Sequence, residues 1–232
     1  MKNTLTLILL AASLNVVAGG RGDDPLLTKV MFDRFELQTT EGSDLIILEG
    51  QGWIGKDLDK LWVKVDSERI DGKTEELELQ LLYSEAISPY WDAQVGWRHD
   101  NLPGLNRDWL AFGFQGLAPY FFEIDVAAFI GEGGQTAIRL EMEYKILLTQ
   151  RLILTPEIEV NLYGKDDVAT DVGSGLSDVE LGLRLRYEIK REFAPYIGVN
   201  WTSKYGNTAD LAKLVGADVE DTQFVVGIRA WF

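Results

Sequence analysis

Few side chains in this 232-residue sequence could bind or transform a ligand. Cysteine is absent and histidine occurs once, at His99, which excludes thiolate metal sites, disulfides, cysteine nucleophiles and multi-imidazole centres. His99 stands beside Asp100 in Trp97-Arg98-His99-Asp100, and together they could offer one nitrogen and one oxygen to a metal ion completed by carboxylates from other loops. The three methionines add little, because Met1 lies in the N-terminal apolar segment and Met31 and Met142 are isolated from any histidine. The richer resource is acidic. A formal net charge of −15 makes cations the natural ligands and argues against nucleic acid, whose phosphates require basic patches. Asp125, Glu141 and Glu157 would form one acidic row if the segments carrying them pair as neighbouring strands. No enzyme is expected: no serine lies near His99 in the sequence, which leaves only one brought close by the fold, and no nucleotide loop, zincin helix or EF-hand pattern occurs.

The elements that must position these groups are read from period 2. In residues 76–83, Leu77, Leu79, Leu81 and Tyr83 oppose Glu76, Glu78 and Gln80, and in residues 90–98, Trp91, Ala93, Val95 and Trp97 oppose Asp92, Gln94 and Arg98. Residues 138–146 and 178–189 alternate in the same way. After residue 20 no apolar run approaches the roughly 18 residues of a spanning helix. The pattern therefore predicts an all-β fold, a transmembrane antiparallel up-and-down β-barrel of about 12 strands, occupying residues 29–232. A soluble β-sandwich or lipocalin-like barrel also alternates, but with its apolar parity turned inward.

Three further features favour the membrane. Residues 1–18 read as a secretory signal peptide, with Lys2 before an apolar run and Val16-Val17-Ala18 at the cleavage site. Residues 19–28 read as a disordered periplasmic leader. Connections alternate in length, with short turns near 55–57, 86–89, 118–119, 149–150 and 190–192 and long loops at 164–175 and 205–221, so the short turns should be periplasmic. The chain closes on Phe232, on the same parity as Phe224, Val226, Ile228 and Ala230, the arrangement of an outer-membrane assembly signal. Trp53, Tyr83, Trp91, Trp97, Tyr120, Tyr144, Tyr187 and Trp231 are expected in interfacial girdles. Centring each hairpin on its connection sets Asp125 opposite Glu141 and Glu141 opposite Glu157, with Arg139 beside Glu159 and Lys64 beside Glu76. His99 falls on the outward parity with Trp97.

The stretches LYSEAISPYWDAQVGWRHD (82–100), GLAPYFFEIDVAAFIG (116–131), LTQRLILTPEIEVNLYGKDD (148–167) and GSGLSDVELGLRLRYEIKREFAPYIGVNW (173–201) closely resemble the outer-membrane copper resistance protein B family, with similarity from about residue 30 to residue 232. The resemblance implies an outer-membrane barrel that binds or passes copper ions in copper homeostasis or resistance. Its implied partners are outer-membrane lipid, copper ions and periplasmic copper-handling proteins. His99 and Asp100, completed by carboxylates, then become a candidate Cu(II) site, and the row of Asp125, Glu141 and Glu157 a second. Many family members carry a Met- and His-rich segment before the barrel, and residues 19–27 contain neither residue. Two other readings use the same barrel: a passive, cation-preferring small-solute channel, and a structural or adhesive barrel acting through its two long loops.

Overall fold

The computed structural model describes residues 25–39, 44–70 and 72–232, so the segment read as a signal peptide and most of that read as a leader lie outside the described residues. Alternating segments become strands because each turns one side chain set to each face and leaves its backbone groups to be paired by neighbours. The order is β1 (Leu27–Thr39), β2 (Asp44–Gly55), β3 (Asp59–Ile70), β4 (Lys73–Ser88), β5 (Trp91–Leu102), β6 (Leu105–Ala118), β7 (Phe122–Gly131), β8 (Thr136–Glu143), β9 (Ile146–Leu147), β10 (Leu152–Tyr163), β11 (Gly175–Tyr187), β12 (Phe193–Lys204), α1 (Gly206–Val215) and β13 (Glu220–Trp231). β1 begins two residues before the expected barrel start at residue 29.

Apart from β8 and β9, consecutive strands pair antiparallel, and β1 pairs β13 from Met31↔Trp231 to Thr39↔Phe224, which closes the ring. β8 and β9 both pair β10, so they are two parts of one stave and the barrel has 12 staves. The break has a chemical cause. Pro156 of β10 has no N–H to donate, so the ladder stops at Glu143↔Glu157, apart from Tyr144 N–H to Pro156 O at 3.1 Å, and resumes at Ile146↔Leu154.

The two faces decide between membrane barrel and soluble β fold. Leu110, Phe114, Val226 and Ile197 point outward and are 57, 52, 60 and 59% exposed, whereas Glu36, Glu78, Arg98 and Arg184 point inward and are 1, 4, 5 and 4% exposed. A water-soluble barrel has the reverse arrangement, so the exposed apolar surface is a lipid face. The interior is not uniformly polar: Met31, Trp62, Leu82, Trp109, Ala111 and Phe129 pack into one apolar cluster within it. Trp53 packs against this cluster at 6.1 Å between its ring and that of Trp62, and Trp231 shares the inward face of its partner Met31. Both therefore leave the girdle expected of them. Tyr83, Trp97 and Tyr187 remain on the outer face.

At one end the connections are residues 56–58, 89–90, 119–121, 148–151 and 188–192. At the other, the stretches 164–174 and 205–219 are the long ones. The second, read from sequence as a loop, contains α1, which ends on Gly216 in the left-handed region (φ 75°) with its N–H turned back to Ala212 O and Lys213 O. Thr208 ties α1 to the first loop: its Oγ1 accepts from Gly173 N at 2.9 Å and lies 3.1 Å from Ser177 Oγ. Asp167 draws the same loop toward the barrel mouth by accepting from Arg107 Nη2 and Gln135 Nε2, both at 2.6 Å.

Candidate functional site in the lumen

The acidic row exists, with a different third member. Asp125 of β7 is directly opposite Glu141 of β8, but Glu141 is opposite Glu159 of β10, and Glu159 is opposite Glu180 of β11. Glu157 belongs to the next row, with Glu143 and Glu123. The shift arises at residues 148–151, where Thr149 Oγ1 accepts from Arg151 N (3.2 Å) and Leu152 N (2.9 Å) and centres the turn on Gln150. Directly opposed carboxylates repel, so each row needs compensating charge.

Most of that compensation comes from across the lumen. Lys64 of β3, expected beside Glu76, pairs in register with Gln80 and extends its Nζ to Asp125 at 2.7 Å. Arg139 meets Glu159 at 3.5 Å as expected, and also grips Glu78 of β4 through Nη1 (3.1 Å) and Nη2 (2.9 Å). Arg34 of β1 bonds Glu49 (2.8 Å) and Glu157 (2.7 Å) and approaches Glu180 (3.7 Å). Arg184 joins Glu157 (2.6 Å) to Glu36 (2.5 Å), and Glu36 also accepts from Tyr196 OH at 2.8 Å. Glu141 has no hydrogen bond or ion pair among the described residues.

Arg98 completes the interior network, and its role was not legible beyond its inward parity. It bonds Glu78 (2.8 Å) and Asp100 (2.7 Å) while stacking over Phe129 at 4.6 Å. Phe129 is 1% exposed and shares inward parity with Asp125 and Ala127, the one signal that could have located it. Asp100 is buried here and accepts from Trp109 Nε1 at 2.8 Å. His99 points the opposite way, stacked on Trp97 at 5.5 Å with Nδ1 2.8 Å from Asp108 Oδ1. Consecutive strand residues face opposite sides, so His99 and Asp100 cannot close on one ion, and that pairing is corrected. Among the described residues no group of three or more His, Cys, Asp or Glu is arranged to hold a metal ion.

Beside the apolar cluster lies a cavity of about 620 Å³, reaching from Pro89, Tyr90 and Leu117 at the short-turn end to Glu78, Arg139 and Phe129 in mid-barrel. Twelve carboxylates and six basic side chains line it, so its formal charge is negative.

A closed antiparallel barrel with a lipid-facing apolar surface and a charged interior is an outer-membrane β-barrel. Residues 26–232 match the family described as copper resistance protein B precursor (CopB), and the chain belongs to that family. It is 48% identical over 203 residues to copper resistance protein B of Escherichia coli, covering 88% of this chain and 69% of that protein. It is 46% identical over 210 residues to the copper resistance protein B homolog of Pseudomonas syringae pv. tomato, covering 90% and 71%. Among solved structures, the NanC porin shares the fold with a TM-score of 0.58 at 10% identity, covering 88% of this chain and 99% of that one. The KdgM porin does so with a TM-score of 0.51 at 10% identity and the same coverage. The protein is thus an outer-membrane barrel of the copper resistance family, as its sequence implied.

Proposed function

We propose that this barrel binds copper ions in its lumen, or passes them through it, without covalent catalysis. The observation that carries the reading is the inward row of Asp125, Glu141 and Glu159 bordering a net negative cavity, in a chain whose relatives bear the name copper resistance protein B. Carboxylates suit divalent cations, and Glu141, lacking a basic partner of its own, is the member with the most to gain from one. Glu157 contributes from the adjacent row, where Arg34 and Arg184 already hold it. With the short turns toward the periplasm, the cavity mouth would meet periplasmic copper-handling proteins. A passive channel is the weaker reading, because Lys64–Asp125 and Arg34–Glu157 join strands on different sides of the lumen and narrow any through-path.

Copper titration of the purified barrel with competing zinc tests the proposal. Saturable copper binding is expected, with an isotherm unaltered by His99→Ala because that ring lies on the lipid face. A flat titration for the wild type, or loss of binding in His99→Ala, contradicts the lumen assignment.

A further inference from the structure

The lipid face of the barrel is not evenly convex. On the outer side of β1, β11, β12 and β13 it holds an apolar groove of about 690 Å³, within the roughly 300–1,000 Å³ of ordinary small-molecule sites. Leu37, Val226 and Ile197 line its mid-barrel part, and Phe35, Ile228 and Tyr187 line the part nearer the short turns. All six side chains are exposed, so the groove is reached from the bilayer. The compact ring of Pro195, paired with Ile228, leaves room there that a longer side chain would fill.

Positive charge collects on the rim at the short-turn end of the same staves. Leu152 and Tyr187 pair with each other and line the groove, and beyond them the chain enters the turns at 148–151 and 188–192, joined by Glu188 N donating to Arg151 O at 2.8 Å. Arg151, Lys190 and Arg191 are exposed in these turns, and none has an ion-pair partner among the described residues. Lys29 adds a fourth cation: its Nζ lies 5.5 Å from the ring of Trp231, whose Nε1 donates to Arg191 O at 2.8 Å. Of the two acids in the turn, Glu188 faces Arg186 at 3.8 Å, which leaves Glu192. Across the barrel the short-turn rim carries Asp57, Asp59 and Glu85 instead. In a chain of net charge −15, this gathering of unpaired cations on one side calls for an anion.

An apolar groove that runs from a basic rim toward the middle of the membrane matches one amphiphile, with its chain in the groove and its anionic head at the rim. With the short turns toward the periplasm, that rim lies at the headgroups of the periplasmic leaflet. We propose that the groove binds a single anionic glycerophospholipid of that leaflet, one acyl chain lying against Leu37, Val226 and Ile197 and the phosphate held by Arg151, Lys190 and Arg191. The site is separate from the lumen and does not depend on what occupies it.

Native mass spectrometry of the purified barrel tests this, in micelles containing either dioleoylphosphatidylglycerol or zwitterionic dioleoylphosphatidylcholine. One phosphatidylglycerol should stay bound while phosphatidylcholine is lost. The double variant Lys190→Gln with Arg191→Gln should weaken retention of phosphatidylglycerol about 25-fold, roughly fivefold for each basic residue at an anionic headgroup. Ile197→Trp fills the groove without changing charge and should also release the lipid. Phe114→Trp, on the lipid face of β6 away from the groove, should retain it as the wild type does. Heat-modifiable mobility on gels establishes that each variant is folded. Equal retention of the two lipids, or unchanged phosphatidylglycerol retention in both the charge variant and Ile197→Trp, overturns the proposal. So does a lipid-free barrel dimer that Ile197→Trp disrupts, since the groove would then be a contact between two copies of the chain.

Discussion

Arg34 illustrates how the interior is held at the scale of single residues. Its guanidinium contacts carboxylates from β2, β10 and β11 at once, so it replaces three repulsions with attractions. Arg34→Met should lower stability by about 3 kcal/mol, because it leaves buried carboxylates without compensation; urea unfolding of the micelle-bound barrel would measure it. Lys64 acts as a tethered cation on Asp125, at the end of the acidic row. Lys64→Met should therefore raise copper affinity, on the order of tenfold for one like charge removed nearby, while reducing stability. An unchanged isotherm would mean that copper does not sense this end of the row. The pair Asp125 and Glu141 was legible from parity and the compact connection at residues 132–135. Glu159 was not put in the row, because the hydroxyl of Thr149 shifts the following turn by an amount that hairpin centring does not capture. Lys64 reaching Asp125 was equally hidden, since register relates neighbouring strands only and this contact crosses the lumen.

Among the elements, the twelve staves were readable because lipid on one side and charge on the other enforce strict alternation. α1 escaped notice for a physical reason: its buried positions are Thr208, Ala209 and Ala212, too small to leave an apolar stripe in the sequence. Thr208→Val removes its bonds to Gly173 and Ser177 and should cost about 1 kcal/mol locally. The expected result is faster protease cleavage within residues 164–174 and unchanged heat-modifiable mobility of the barrel on gels. Closure depends on the last residue as well as on β13, since Phe232 N donates to Val30 O at 2.8 Å and Phe232 O accepts from Val30 N at 3.1 Å. Deleting Phe232 removes both bonds and a lipid-facing ring. Less folded protein should then reach the outer membrane, measured by fractionation and by heat-modifiable mobility.

For the whole molecule, the inverted distribution of polarity fixes the environment. The barrel buries its charges and exposes its aliphatic side chains, so only a bilayer satisfies it. Protease treatment of intact cells should cut within residues 164–174 or 205–219 and spare residues 89–90 and 188–192; the opposite pattern would invert the barrel. The interior then has two characters. A packed aromatic cluster with its arginines occupies part of the lumen, and an acidic cavity that reaches residues of the short-turn end occupies another part. The central claim is that copper resides against the acidic row of this cavity, and Glu141→Gln tests it most directly by keeping the shape and removing one charge. The measurement is a copper isotherm paired with the copper-dependent rise in melting temperature, which arises because a ligand that binds only the native state stabilises it. The account predicts weaker binding and loss of that rise in Glu141→Gln. An isotherm and a melting shift identical to those of the wild type would contradict it.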